Sequence, residues 1–157
     1  LEGLLVECLE TPLLQANRKG IGLSYEIIDS SSGHFLGDPL RLSQVLQNLV
    51  SNAIKFTEEG AVEIRVRVEK DYNRFYRAVI EVEDSGIGIP EDGLHDLYRA
   101  FHQGDSSRTR EHGGTGLGLA VVSRILERLD GTIEVESKEK KGSLFRVSLQ
   151  LEEVEPN

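Results

Sequence analysis

Residues 61–69, AVEIRVRVE, alternate without a break between branched apolar and charged side chains. That period of two allows only a strand with one dry face and one wet face. Val62, Ile64, Val66 and Val68 face inward, and Glu63, Arg65, Arg67 and Glu69 face water. After the turn KDYNR the chain comes back as FYRAVIEVED, with Tyr76, Ala78, Ile80 and Val82 on one face, which predicts an antiparallel hairpin. A sheet with one dry face needs a layer to cover it, and helices must supply that layer.

Two segments read as strong helices. PLRLSQVLQNLVSNAIKF starts at Asp38-Pro39, with Asp at the N-cap and Pro at the first helical position. Its apolar stripe is Leu42, Val45, Leu46, Leu49, Ala53 and Phe56. GLAVVSRILERL is the second, ended by Gly131. Residues 4–18 have near-helical apolar spacing with Pro12 as a kink or break, LSYEII (23–28) reads as a strand, and DSSSGHFLGD reads as a loop. TIEVES and SLFRVSLQL, joined by KEKKG, are the last two strands. The prediction is an α+β chain: a two-layer α/β sandwich, with a mixed five-stranded sheet carrying about three helices on one face.

The 157 residues suit a single domain spanning 1–157, with 1–20 as an N-terminal helical segment and 152–157 as a tail or linker. The absence of methionine points to a piece of a longer protein, and no run is apolar enough for a membrane span. A formal charge of −9 argues against nucleic acid as a partner and requires a metal or local basic group at any polyanion site. The one cysteine, Cys8, excludes an internal disulfide, fits a reducing compartment and reads as a packing residue.

Three places could carry chemistry. Asn48, Asn52 and Lys55 share one face of the first strong helix. They read either as a solvated face or as amide oxygens for a hard cation beside an ammonium for phosphate. Asp84 shares the inward face of Ile80 and Val82 at a strand end, just before Gly86 and Gly88. It is either a turn-capping aspartate or an acceptor for an exocyclic amine such as adenine N6, with the glycines letting the base lie on backbone. Finally, EHGGTGLGLAVV places glycines 113, 114, 116 and 118 before a helix. Gly118 is followed by Leu119, so this is neither a P-loop nor the dinucleotide fingerprint, yet backbone amides at a helix start suit an anion. The polar, glycine-rich stretch 101–116 reads as a mobile lid.

In order and spacing these segments resemble the catalytic ATP-binding domain of sensor histidine kinases, within the Bergerat-fold ATPase superfamily. DPLRLSQVLQNLVSNAIKFT resembles the asparagine box, DSGIGIP the first glycine box and LYRAFHQGDSSRTREHGG the phenylalanine box with its lid. GGTGLGLA resembles the second glycine box and KGSLFRV the short glycine motif, so the likeness covers residues 21–150. It implies the Bergerat fold with ATP between the helix layer and the lid, and Mg²⁺ bridging the phosphates. Asn52 would hold the metal, Asn48 would meet metal and phosphate, and Lys55 the phosphates, making Asn48 and Lys55 the catalytic pair. Asp84 would take adenine N6, with Gly86 and Gly88 in its loop. Gly114, Thr115, Gly116, Leu117 and Gly118 would line the phosphates by main chain, Phe101 would anchor the lid, and Arg108 or Arg110 would reach the γ-phosphate.

The acceptor is the missing part. None of His34, His95, His102 and His112 lies in a phosphoacceptor context, and residues 4–18 are too short for the family's helical hairpin. The resemblance therefore implies a catalytic domain that presents Mg-ATP to a histidine on a separate dimerisation domain, with a response-regulator receiver as indirect partner. The chain alone would be monomeric and cytoplasmic, without membrane contact; the acidic tail LEEVEPN would suit a hybrid parent. Water-activating relatives of the superfamily carry a glutamate base one turn before the metal asparagine. Here that position is Asn48, which takes no proton near neutral pH. An anti-sigma-type serine kinase fits the long lid and GGTGLGLA less well, and a degenerate, partner-binding domain is disfavoured by the intact ligand positions.

Overall fold

The computed structural model describes residues 2–29, 35–36, 39–88, 92–93, 116–138 and 140–154. In chain order the elements are α1 (Glu2–Lys19), β1 (Gly22–Asp29), β2 (Phe35–Leu36), α2 (Pro39–Phe56), β3 (Ala61–Tyr72) and β4 (Phe75–Asp84). Then follow α3 (Gly116–Arg128), β5 (Thr132–Lys138) and β6 (Gly142–Glu153).

The β3–β4 hairpin is the middle of a mixed sheet. β1 pairs parallel to β3, and β4 pairs antiparallel to β6. The far edge of β6 is shared, with β5 along residues 142–148 and the short β2 against Glu152 and Glu153. The five expected strands are all present, and β2 adds a sixth within a segment that reads as a loop. It is pinned by the Phe35 ring, edge-on to Tyr76 at 5.7 Å between centroids. The residues 152 and 153 belong to the sheet, so β6 extends past the expected end at Leu151.

Helices α1, α2 and α3 pack on one face. α1 lies beside α2 and over β1, α2 crosses β3 and β4, and α3 lies beside α2 over β5. Val62, Ile64, Val66 and Val68 meet Ala78, Ile80 and Val82, then Phe145, Val147 and Leu149, to make the sheet's half of the core. Leu42, Val45, Leu46, Leu49, Val50, Ala53 and Ile54 are the buried side of α2; Phe56 ends the stripe only half-buried.

Pro12 does not break α1, which runs unbroken from Glu2 to Lys19. The ring is buried in the stripe of Leu5, Cys8, Leu9 and Ala16, so packing outweighs the one backbone hydrogen bond a helical proline forfeits. α3 ends in a reverse turn in which Asp130, at φ 52°, takes the left-handed position, while Gly131 N–H reaches Leu126 O at 2.7 Å. Gly131 is needed for room: a Cβ there would sit 3.0 Å from both Leu126 Cδ2 and Ser148 O.

The opposite sheet face is charged, and none of α1, α2 and α3 covers it. The register lines up Glu26, Arg65, Glu81, Arg146 and Glu134 across five strands with alternating sign. Glu81 takes Arg146 at 2.9 Å and Arg65 at 3.5 Å, while Arg65 also reaches Glu83 at 2.7 Å. Each charge so placed has an opposite one directly across the strand, which keeps such a face soluble and self-neutral.

Candidate nucleotide site

The site forms where the C-terminal end of α2 meets the turn after β4, with α3 packed beside α2. A helix leaves its last four carbonyls without internal partners. In α2 every one is met. Thr57 Oγ1, fully buried, donates to Ala53 O at 2.8 Å, and Lys19 Nζ donates to Ile54 O at 2.8 Å and to Lys55 O at 3.1 Å. The Ile87 amide donates to Phe56 O at 3.3 Å. The end of α2 is thereby fixed to α1 on one side and to the DSGIG turn on the other.

That turn is clamped further. Lys140 N–H donates to Ile87 O at 2.6 Å, tying in the β5–β6 turn, and Ser85 Oγ accepts the Ala61 amide at 3.0 Å. Backbones approach so closely that glycine is required. A Cβ on Gly86 would collide with Phe56 O, and one on Gly142, at φ 104°, with Asp84 O. Gly88 sits at φ 72°, in the left-handed region.

Asp84 ends β4 on the inward face, 6% exposed. Its Oδ1 accepts the Gly86 amide at 2.9 Å. Burial pushes its pKa above the ordinary aspartate value, and Glu83 adds to this; hydrogen bonds from the Gly86 and Ser143 amides pull the other way. Among the described residues no basic side chain pairs with it. The carboxylate is therefore a buried acceptor held by backbone dipoles, with acceptor capacity left for a donor from outside.

Asn48, Asn52 and Lys55 lie on one side of α2 as their spacing requires; Asn48 and Asn52 are half-buried and Lys55 is exposed. Among the described residues Asn52 Nδ2 is buried with no hydrogen-bond partner. An orphaned buried amide is costly, and turning it end for end places Oδ1 there instead, an oxygen suited to a hard cation. The Lys55 ammonium also stands 5.9 Å from the Phe56 ring centroid.

Gly116, Leu117 and Gly118 form the first turn of α3, where backbone amides lack helical partners and favour an anion. Phe101, Arg108, Arg110, Gly114 and Thr115 lie outside the described residues, as does the lid assigned to 101–116 apart from Gly116. The four histidines also lie outside them. Sequence reasoning missed Lys19, Thr57 and Ser143. A basic residue in the last turn of α1 was legible as such, but its target is another helix.

A buried acceptor at the end of β4 and, among the described residues, an unsatisfied amide on the α2 helix beside it are the marks of a nucleotide-binding ATPase fold. The chain belongs to the family of histidine kinase-, DNA gyrase B- and HSP90-like ATPases, whose model matches residues 37–153. It is 40% identical over 151 residues to the sensor histidine kinase GacS of Pseudomonas protegens, covering 96% of this chain and 16% of that protein. It is likewise 40% identical over 139 residues to the signal transduction histidine-protein kinase BarA of Escherichia coli, covering 88% of this chain and 15% of that one. Full-length ShkA, solved in complex with AMPPNP, superposes with a TM-score of 0.75 at 30% identity, over 99% of this chain and 31% of that one. The catalytic domain of the histidine kinase ThkA gives 0.64 at 27% identity, over 95% and 90%. The chain thus corresponds to the ATP-binding catalytic domain of sensor histidine kinases and spans about a sixth of the GacS and BarA relatives. No helix among the described residues is long and apolar enough to cross a membrane.

Proposed function

We propose that this domain binds Mg-ATP and presents its γ-phosphoryl group to a histidine on a separate dimerisation domain of the parent kinase. The observation that carries the reading is Asp84, a buried carboxylate with no cationic partner among the described residues, set in a turn that backbone contacts immobilise. A rigid acceptor suits adenine N6, because a base is read by hydrogen bonds whose geometry is fixed in advance.

The phosphates extend from there toward α2 and the α3 N-terminus. Main-chain amides of Gly116, Leu117 and Gly118, with Gly114 and Thr115 before them, take phosphate oxygens. Lys55 adds a positive charge, and Arg108 or Arg110 completes the cradle from the lid that Phe101 anchors. Asn52, with Asn48 one turn earlier, would hold Mg²⁺, whose charge offsets that of the triphosphate in a domain of net charge −9. The incoming imidazole nitrogen forms its bond to the γ-phosphorus in line as the bond to the β–γ bridging oxygen breaks, and ADP leaves with the electron pair. The domain contributes positioning and charge neutralisation. A receiver domain would take the phosphoryl group afterwards. We read the fragment as a cytoplasmic monomer.

The test is to mix the chain with a separately made, histidine-containing helical domain and γ-labelled ATP. Label on the helical domain's histidine supports the proposal. Label on a histidine of this chain, or no Mg²⁺-dependent ATP binding at all, overturns it.

A further inference from the structure

Lys19 is the last residue of α1, and the backbone holds it in place from both sides. Before it, Leu5, Leu9 and Ala16 bury α1 in the core. After it, Gly20 takes the left-handed position at φ 75°, the Gly20 amide donates to Asn17 O at 3.2 Å, and the Ile21 amide closes the turn on Ala16 O at 3.1 Å. From this fixed post the side chain crosses to α2. Its ammonium donates to Ile54 O at 2.8 Å and to Lys55 O at 3.1 Å, and stands 3.5 Å from Glu58.

The two halves of the nucleotide site are anchored differently. The turn that follows Asp84 is tied to the sheet: the Ser85 amide donates to Ala61 O at 3.2 Å, Ser85 Oγ accepts the Ala61 amide at 3.0 Å, and Ile87 O accepts the Lys140 amide at 2.6 Å. Its bond to α2, from the Ile87 amide to Phe56 O, is longer at 3.3 Å. The last turn of α2, which carries Lys55, has no helical partners for its carbonyls and relies on groups beyond the helix. One ammonium meets two successive carbonyls there, and Ile54 O takes the Thr57 amide besides, at 3.3 Å. A cation at this end also offsets the negative pole of the helix.

We propose that Lys19 is a positioning residue for the phosphate half of the site: it keeps the last turn of α2 wound, so that the Lys55 ammonium stands where the nucleotide's phosphates arrive. The proposal rests on the reading of Lys55 as a phosphate-binding residue, and the effect of Lys19 on the nucleotide runs through it. Without the Lys19 ammonium the last turn frays, and it must rewind before Lys55 can meet a phosphate. Apparent affinity then falls by the fraction of molecules in which the turn is wound. Asp84 and its turn, held by β3 and the β5–β6 turn, keep their geometry. The loss is therefore confined to ligands that carry phosphates.

The experiment compares Mg-ATP with adenosine, which offers the base without phosphates. Dissociation constants are measured by NMR titration for the 157-residue chain, for Lys19→Met, Lys19→Arg and Lys55→Ala, and for the double variant of Lys19→Met and Lys55→Ala. Lys19→Met should bind ATP about fivefold more weakly, the scale of one net hydrogen bond, with adenosine affinity unchanged. Lys19→Arg, which keeps a charged donor, should restore most of the ATP affinity. In the Lys55→Ala background Lys19→Met should cost little further. Parallel weakening of ATP and adenosine, an unchanged ATP affinity, or a full further loss in the Lys55→Ala background overturns the proposal. Should Lys19→Met fail to fold, Lys19→Gln carries the test: it is shorter and uncharged, it must shift the ratio of ATP to adenosine affinity in the same direction, and an unchanged ratio is again fatal. Failure of the Lys55 reading has its own signature and takes the proposal with it: Lys55→Ala alone leaves ATP affinity unaltered.

Discussion

The ammonium of Lys19 lies 2.8 Å from the carbonyl oxygen of Ile54, joining the last residue of α1 to the last turn of α2 across 35 residues of sequence. The Cys8 thiol meets Ser43 nearer the start of both helices, so the two run side by side in one direction. Lys19 therefore caps the helix that bears Asn48, Asn52 and Lys55. Lys19→Met should lower unfolding free energy by about 1–2 kcal/mol, the usual worth of a charge-assisted hydrogen bond, as read by urea denaturation. Lys19→Arg should recover part of that loss. Equal stability of the Met variant would show that water caps α2 as well as the ammonium does.

Asp84→Asn separates stability from function. The folded-state pKa of Asp84 is raised by burial, so its contribution to stability is fully present below the ordinary aspartate pKa and is lost as pH rises through the raised value. At neutral pH the ionised group is a net cost. The Asn variant should match or exceed the unaltered chain in thermal stability there, and lose stability less steeply with rising pH across that window. Its ATP affinity should nevertheless collapse. A variant that binds ATP normally removes Asp84 from base recognition.

The same shift gives ATP binding a pH dependence. Adenine N6 donates to the anion, so affinity should fall as pH drops through the raised Asp84 pKa, beginning at a higher pH than an ordinary aspartate would impose. Fluorescent-nucleotide titrations down the acid side check this, and an affinity unchanged with falling pH would count against an ionised Asp84 as the acceptor.

Asn52→Ala deletes the orphaned amide. Metal-free nucleotide binding should be largely kept while the added affinity from Mg²⁺ disappears, and stability should hold, since no hydrogen bond of Nδ2 is lost. Equal loss with and without Mg²⁺ would count against a metal role.

Gly142→Ala tests the close approach behind Asp84. At φ 104° an alanine is strained, and its Cβ would also strike Asp84 O. A cost of roughly 2 kcal/mol or more is expected by chemical denaturation, together with weaker ATP binding, because Asp84 must shift. By contrast Glu81→Gln, on the charged face between Arg65 and Arg146, should cost about 1 kcal/mol, diminish in salt, and leave ATP affinity alone.

The sequence by itself determined the sheet's two faces, the apolar side of α2 and the inward placement of Asp84. Side-chain periodicity states which way each residue points before any partner is chosen. It also placed Asn48, Asn52 and Lys55 along one helical side. The tertiary structure decided which distant groups meet: Lys19 on Ile54, Ser137 on Ser143, Ile87 on Phe56 and the added strand at Phe35. It also kept α1 whole at Pro12, against local propensity. Those outcomes depend on strand register and on which helix lies beside which. Residues far apart in the chain carry no local pattern for that, and only the closing of one shared core fixes it.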